Sequence, residues 1–115
     1  MNIRQLFDHG SSTYTYLLWD SVSLETVIID PVREQSERDI QLIKELQLTL
    51  KYSLETHIHA DHVTGGGLLR NALGCRIAVH RNSQAECADI WLDEGDDIEF
   101  GTATLRYAFL SPSSP

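Results

Sequence analysis

No run of about eighteen consecutive apolar residues occurs in this chain, so none of its helices is expected to span a membrane. Cysteine is scarce. The two residues, Cys75 and Cys87, have neither zinc-finger nor redox-motif spacing, so free thiols in a reducing compartment are expected rather than a disulfide. Cations are also few: nine Lys and Arg stand against 17 Asp and Glu, for a formal net charge of −8. Those cations do not cluster, which argues against a nucleic-acid surface. Met1-Asn2-Ile3-Arg4-Gln5 lacks the apolar core of a secretory signal, and a cytoplasmic location follows by default. No internal repeat and no long linker interrupts the 115 residues, which suit a single domain over 1–115. A hydrophobic share of 42% is enough for a packed core and excludes a disordered chain.

One segment stands out. Glu55-Thr56-His57-Ile58-His59-Ala60-Asp61-His62 places three histidines and an aspartate within positions 57–62. Imidazole and carboxylate are the donors that zinc and iron select, and so dense a polar cluster is costly unless an ion compensates its desolvation. In an extended segment, side chains two apart share a face, which puts His57, His59 and Asp61 together and His62 on the other side. That pattern serves one metal or two neighbouring metals.

The surrounding pattern is that of an α/β (α+β) chain. Ile3 to Phe7 and Thr13 to Trp19 read as an antiparallel pair, the second being rich in β-branched and aromatic residues. Glu25 to Asp30 reads as a mostly buried strand stopped by Pro31. A helix follows, with Ser36 and Asp39 resembling a capping box and with Ile40, Leu42, Ile43 and Leu46 along its packing face. Tyr52-Ser53-Leu54 is a short strand that delivers the histidines at its carboxyl end, where α/β layered folds commonly bind ligands. Gly65-Gly66-Gly67 precedes a short helix, Leu68 to Leu73, closed by Gly74. Arg76 to Val79 is another strand, and Ser83 to Trp91 is helical or irregular. A hairpin around Gly101 joins Ile98-Glu99-Phe100 to Thr102–Phe109, with Leu105, Tyr107 and Phe109 on one face.

Thr56-His57-Ile58-His59-Ala60-Asp61-His62 matches the H-x-H-x-D-H signature, and here the chain resembles the metallo-β-lactamase fold superfamily. Ser12 to Leu18, Ile29-Asp30-Pro31-Val32, Glu55 to Gly65 and Leu68-Leu69-Arg70 look like its glyoxalase II-like branch, and most like the persulfide dioxygenases. The resemblance implies the N-terminal half of an αββα sandwich, a mixed sheet with helices on one face. It also implies a mononuclear Fe(II) enzyme that uses dioxygen to oxidise glutathione persulfide to sulfite and glutathione. His57 would be the first metal ligand, with His59, Asp61 and His62 at the metal and a catalytic role falling on Asp61. In the hydrolase relatives the same residues would hold two zinc ions, which activate a hydroxide against a glutathione thioester. The family's T-P-G-H-T motif falls here on Ser111-Pro112-Ser113-Ser114-Pro115, so the chain is read as a fragment whose later metal ligands are missing. Such a half-sandwich leaves the second face of its sheet uncovered. Self-association, or a completing chain, is then expected as partner beside the small-molecule substrate, with neither nucleic acid nor membrane.

The remaining polar residues have simpler readings. His9 and His80 are surface or satisfied core histidines, and Arg70 lies on a solvated helix face. Cys75 is a buried thiol, and Tyr14 and Tyr16 are core. Asp93-Glu94-Gly95-Asp96-Asp97 is a solvated hairpin turn, lacking the register of a calcium loop. Asp30 either caps the turn after its strand or orients a motif histidine from behind. The three glycines either admit a substrate or supply unusual torsions at the helix entry.

Overall fold

A computed structural model describes residues 1–56, 65–81 and 88–106. Six strands form one sheet in sequential order: β1 (Asn2–Asp8), β2 (Thr13–Trp19), β3 (Glu25–Ile29), β4 (Thr49–Glu55), β5 (Arg76–His80) and β6 (Ile90–Leu92). The first three pair antiparallel and the last four pair parallel, so the sheet is mixed as expected. Parallel neighbours need long crossovers. Helix α1 (Ser36–Glu45) supplies the one between β3 and β4, and α2 (Gly66–Leu73) lies between β4 and β5.

Strand alternation divides the core in two. Leu17 and Ile28 face one side, where they meet Ile43 of α1, Leu69 of α2, Leu50 and Cys75. Their chain neighbours Leu18 and Val27 face the other, with Leu54, Ala78 and Leu92. Both helices therefore cover the same face. The other face is not bare, contrary to the sequence expectation. A second, two-stranded sheet of β7 (Asp97–Phe100) and β8 (Ala103–Arg106) lies across it and buries Ile98 and Phe100 against Leu18 and Val27. Asp20 pins this hairpin to the β2–β3 turn, its carboxylate accepting from Ser23 N and Oγ at one end and from Thr102 Oγ1, at 2.9 Å, at the other. These bonds, from the Ser23 amide first, hold the Asp20 carboxyl well below the usual carboxylate range. Gly101 has φ +62°, and a Cβ there would collide with Ser23 Oγ and Asp20 Oδ2, so only glycine fits this turn.

Other expectations are corrected. The capping box does not form, because a 3-10 turn at Arg33–Gln35 runs straight into α1 and makes Ser36 already helical. Its Oγ donates backwards to Arg33 O at 2.7 Å. Tyr14 is 50% exposed rather than core, since it lies beyond the last residue of β2 that β3 covers, Tyr16. Trp91 belongs to a strand, β6, and not to a helical or irregular stretch. Residues 93–96 link β6 of the large sheet to Asp97, the first residue of β7 in the small one, so 93–97 is an inter-sheet connection and not a hairpin turn. Asp93 N there donates to Asp96 Oδ2. Tyr107 and Phe109 lie outside the described residues, as does Cys87. Cys75 is a buried free thiol, pushed up to about 11 by its burial.

Asp39 carries a pH dependence. It is 1% exposed on the inner face of α1, and its Oδ2 has no hydrogen-bond partner among the described residues. Burial raises its carboxyl to about 6, against the opposing pull of Arg38, whose Nη2 lies 3.1 Å from Oδ1. Between about pH 4 and pH 6 the unfolded chain releases a proton that the folded chain retains, so stability falls as pH rises through that window. The penalty is complete above pH 6, at about 2–3 kcal/mol from a shift of roughly two units. Asp39→Asn is expected to remove most of it. Urea unfolding should show the variant more stable than the unsubstituted chain at pH 7.5 and nearly equal to it at pH 4. A difference independent of pH would contradict this.

Candidate metal centre

The segment predicted to bind metal leaves β4 at Thr56 and returns at Gly65. His57, His59, Asp61 and His62 lie between these points, outside the described residues. Both ends of the segment are fixed to one turn, Asp30-Pro31-Val32. Asp30 Oδ1 accepts the Thr56 amide at 2.7 Å and Oδ2 accepts the Thr56 hydroxyl at 2.5 Å. Gly65 N donates to Pro31 O at 2.9 Å.

The turn is itself held from two sides. Asp30 N donates to Leu54 O at 2.8 Å, binding the turn to the end of β4. Thr15 Oγ1, fully buried on β2, donates to Asp30 O, also at 2.8 Å. Asp30 takes φ +55°, a left-handed conformation that aspartate tolerates better than most residues. That conformation lets its backbone leave β3 while its carboxylate reaches Thr56, 26 positions along the chain. Of the two sequence readings of Asp30, the structure favours the one that places it behind the histidine segment: it holds the residue immediately before His57. Thr56 was not singled out from sequence, although a hydroxyl residue directly before the first histidine was the available signal.

At the exit, close packing sets the glycines. None of Gly65, Gly66 and Gly67 has a positive φ, so unusual torsions are not their role. A Cβ on Gly65 would lie 3.1 Å from Val32 O and 3.2 Å from Ser36 Oγ, and one on Gly66 would lie 3.3 Å from Ser53 Oγ. Side chains there would push the segment's return away from the turn and α2 away from the sheet. Gly67 meets nothing within 4 Å. At the other end of α2, Gly74 takes φ +74° in the predicted closing position.

Arg70 is not simply solvated: its Nη1 lies 3.1 Å from Asp89 Oδ2, which also accepts from Ile77 N, so it ties α2 to the approach of β6. His9 is exposed and packs edge-on against Phe7, with ring centroids 4.8 Å apart. His80 is half-buried at the end of β5.

The described residues include no group of three His, Cys, Asp or Glu able to hold a metal. The donor set offered to an ion is that of 57–62: three imidazoles and a carboxylate, on a segment fixed at entry and exit. That chemistry fits iron or zinc.

Comparison with known proteins shows the family and the fold. The profile of the metallo-beta-lactamase superfamily matches residues 10–112. The mitochondrial persulfide dioxygenase ETHE1 of Mus musculus is 52% identical over 114 residues, which cover 98% of this chain and 43% of that protein. A hydroxyacylglutathione hydrolase of Pseudomonas putida strain W619 is 32% identical over 88 residues, covering 76% of this chain and 34% of the hydrolase. The crystal structure of ETHE1 from Myxococcus xanthus superposes with a TM-score of 0.86 at 43% identity, over 92% of this chain and 47% of that one. The chain thus spans less than half the length of these relatives, and it covers the N-terminal half of their fold. No helix among the described residues is long and apolar enough to cross a membrane.

Proposed function

Because the chain belongs to the metallo-β-lactamase superfamily, we propose that it carries the first part of the metal site of an iron-dependent persulfide dioxygenase. The observation that carries this reading is that Thr56 and Gly65, which flank residues 57–64, both bond to the Asp30 turn, and the sequence between them supplies His57 as first metal ligand together with His59, Asp61 and His62. Similarity supports the dioxygenase chemistry over the hydrolase: 52% identity to a persulfide dioxygenase stands against 32% to a thioester hydrolase. Iron held by histidine and carboxylate, with positions left open, supplies dioxygen chemistry when bound. The substrate is glutathione persulfide, and oxidation of its outer sulfur to sulfite with release of glutathione consumes one dioxygen and one water. The protein's own part is to hold His57 in place through Thr56 and Asp30, and to anchor the segment's return at Gly65.

A second reading rests on the hydrolase similarity: a two-zinc enzyme acting on a glutathione thioester. A third rests on length. The chain spans 43% of the dioxygenase relative, and in this reading the site works only with ligands supplied by a completing chain or a longer polypeptide. A cytoplasmic location belongs to this proposal too, with the mitochondrial location in the mammalian relative's name standing beside it. Anaerobic purification with iron, followed by sulfite measurement from glutathione persulfide, separates the three. The dioxygenase reading expects near one iron per chain and sulfite above a His57→Ala control. Two zincs per chain with thioester cleavage supports the hydrolase. Bound iron without sulfite supports the incomplete site.

A further inference from the structure

Three aromatic rings sit together at the end of the sheet that delivers the histidine segment. Phe7 of β1 pairs with Tyr14 of β2, and their ring centroids are 4.7 Å apart at a tilt of 46°. His9 meets Phe7 edge-on, with ring centroids 4.8 Å apart at 88°. The register sets their level. Tyr16 lies opposite Ile29, and Ile29 opposite Leu54, so Tyr14, two residues further up, is level with Thr56 across two strand spacings, about 10 Å. Tyr14 also shares the face of Tyr16, the face covered by the β7–β8 hairpin and not by the helices.

This tip is tethered by side-chain bonds, while Tyr14 and His9 stay exposed and Phe7 is half-buried. Asp8 accepts from Ser11 N and Oγ and from Gln35 Nε2, bonds that lower its carboxyl to about 2, the Gln35 bond most. Arg38 Nη1 donates to Phe7 O at 3.0 Å, fastening β1 to α1. Yet Tyr14 is 50% exposed and His9 is exposed. Exposed aromatic faces on a pinned turn suit a flat, partly polar ligand, because little ordering entropy remains to be lost on binding. We propose that Tyr14, Phe7 and His9 form the wall against which the peptidic part of the thiol substrate rests, with amide planes of a glutathionyl group stacked on the Tyr14 and Phe7 rings. This assignment deepens the proposed function and depends on its substrate class.

The test is titration of the isotope-labelled 115-residue chain with reduced glutathione, followed by backbone amide shifts. Saturable shifts at residues 7–14 are expected. Tyr14→Ala should raise Kd roughly 5-fold and Tyr14→Phe less than about 2-fold, with the thermal midpoint of each nearly unchanged. Unaltered affinity in Tyr14→Ala, shifts confined elsewhere, or no saturable shift at all would overturn the wall. The shift map of the unsubstituted chain decides the matter even if Tyr14→Ala unfolds. Iron content of the same preparation is read separately. Iron retained without glutathione binding sinks only the wall; glutathione binding without iron sinks only the iron assignment.

Discussion

Phe100→Ala is expected to cost about 3–5 kcal/mol and to leave much of the chain unfolded at room temperature. Phe100 is 0% exposed, and it is the largest fully buried side chain of the molecule's described part. Its ring fills the space between the β7–β8 hairpin and the face formed by Leu18, Val27, Leu54 and Ala78. No neighbour can collapse into the vacancy without detaching the hairpin, because Asp20 fixes that hairpin's turn at Thr102. Since small domains have about 5–15 kcal/mol in total, a loss of this size decides whether the chain folds. Urea unfolding followed by Trp fluorescence measures it. A loss under about 1 kcal/mol would mean that the hairpin is not part of the core.

Asp30→Ala is expected to lower apparent iron affinity by about 10–100-fold, the usual effect of losing the group that orients a metal ligand. Alanine removes both bonds to Thr56 and also fits the +55° φ poorly, so the entry to the histidine segment is released. Asp30→Asn should recover most of the affinity, since asparagine tolerates the left-handed conformation and keeps an acceptor for the Thr56 amide. Anaerobic Fe(II) titration of the three proteins tests the claim. Equal affinity in Asp30→Ala, with its fold intact, would show that the clamp has no part in metal binding.

Much of this fold can be read from local pattern. Thr13 to Trp19 forms a strand with the predicted ends because its β-branched and aromatic residues are bounded by a Gly-Ser-Ser turn on one side and by Asp20 on the other. Gly74 closes α2 because only the left-handed region turns the chain there. What stayed hidden depends on distant partners. Tyr14 has the look of a core residue, but β3 ends before reaching it. Ile90–Leu92 is too short for a period to show, and it becomes a strand only by lying beside β5. Asp30 reaches across 26 residues to Thr56, a contact that no local rule contains. The candidate site divides the same way. The motif at 57–62 is plain in the sequence, while the turn that bonds to its flanking residues Thr56 and Gly65 emerges only in three dimensions.

The central claim is that His57 and its neighbours form a metal site held by the Asp30 turn. It is tested most directly by the iron retained per chain after anaerobic reconstitution and gel filtration, in the unsubstituted protein and in His57→Ala. The account predicts near one iron per unsubstituted chain and less than about a tenth of that in the variant, with both equally folded. Equal retention in the two, or none in either despite normal folding, would contradict it.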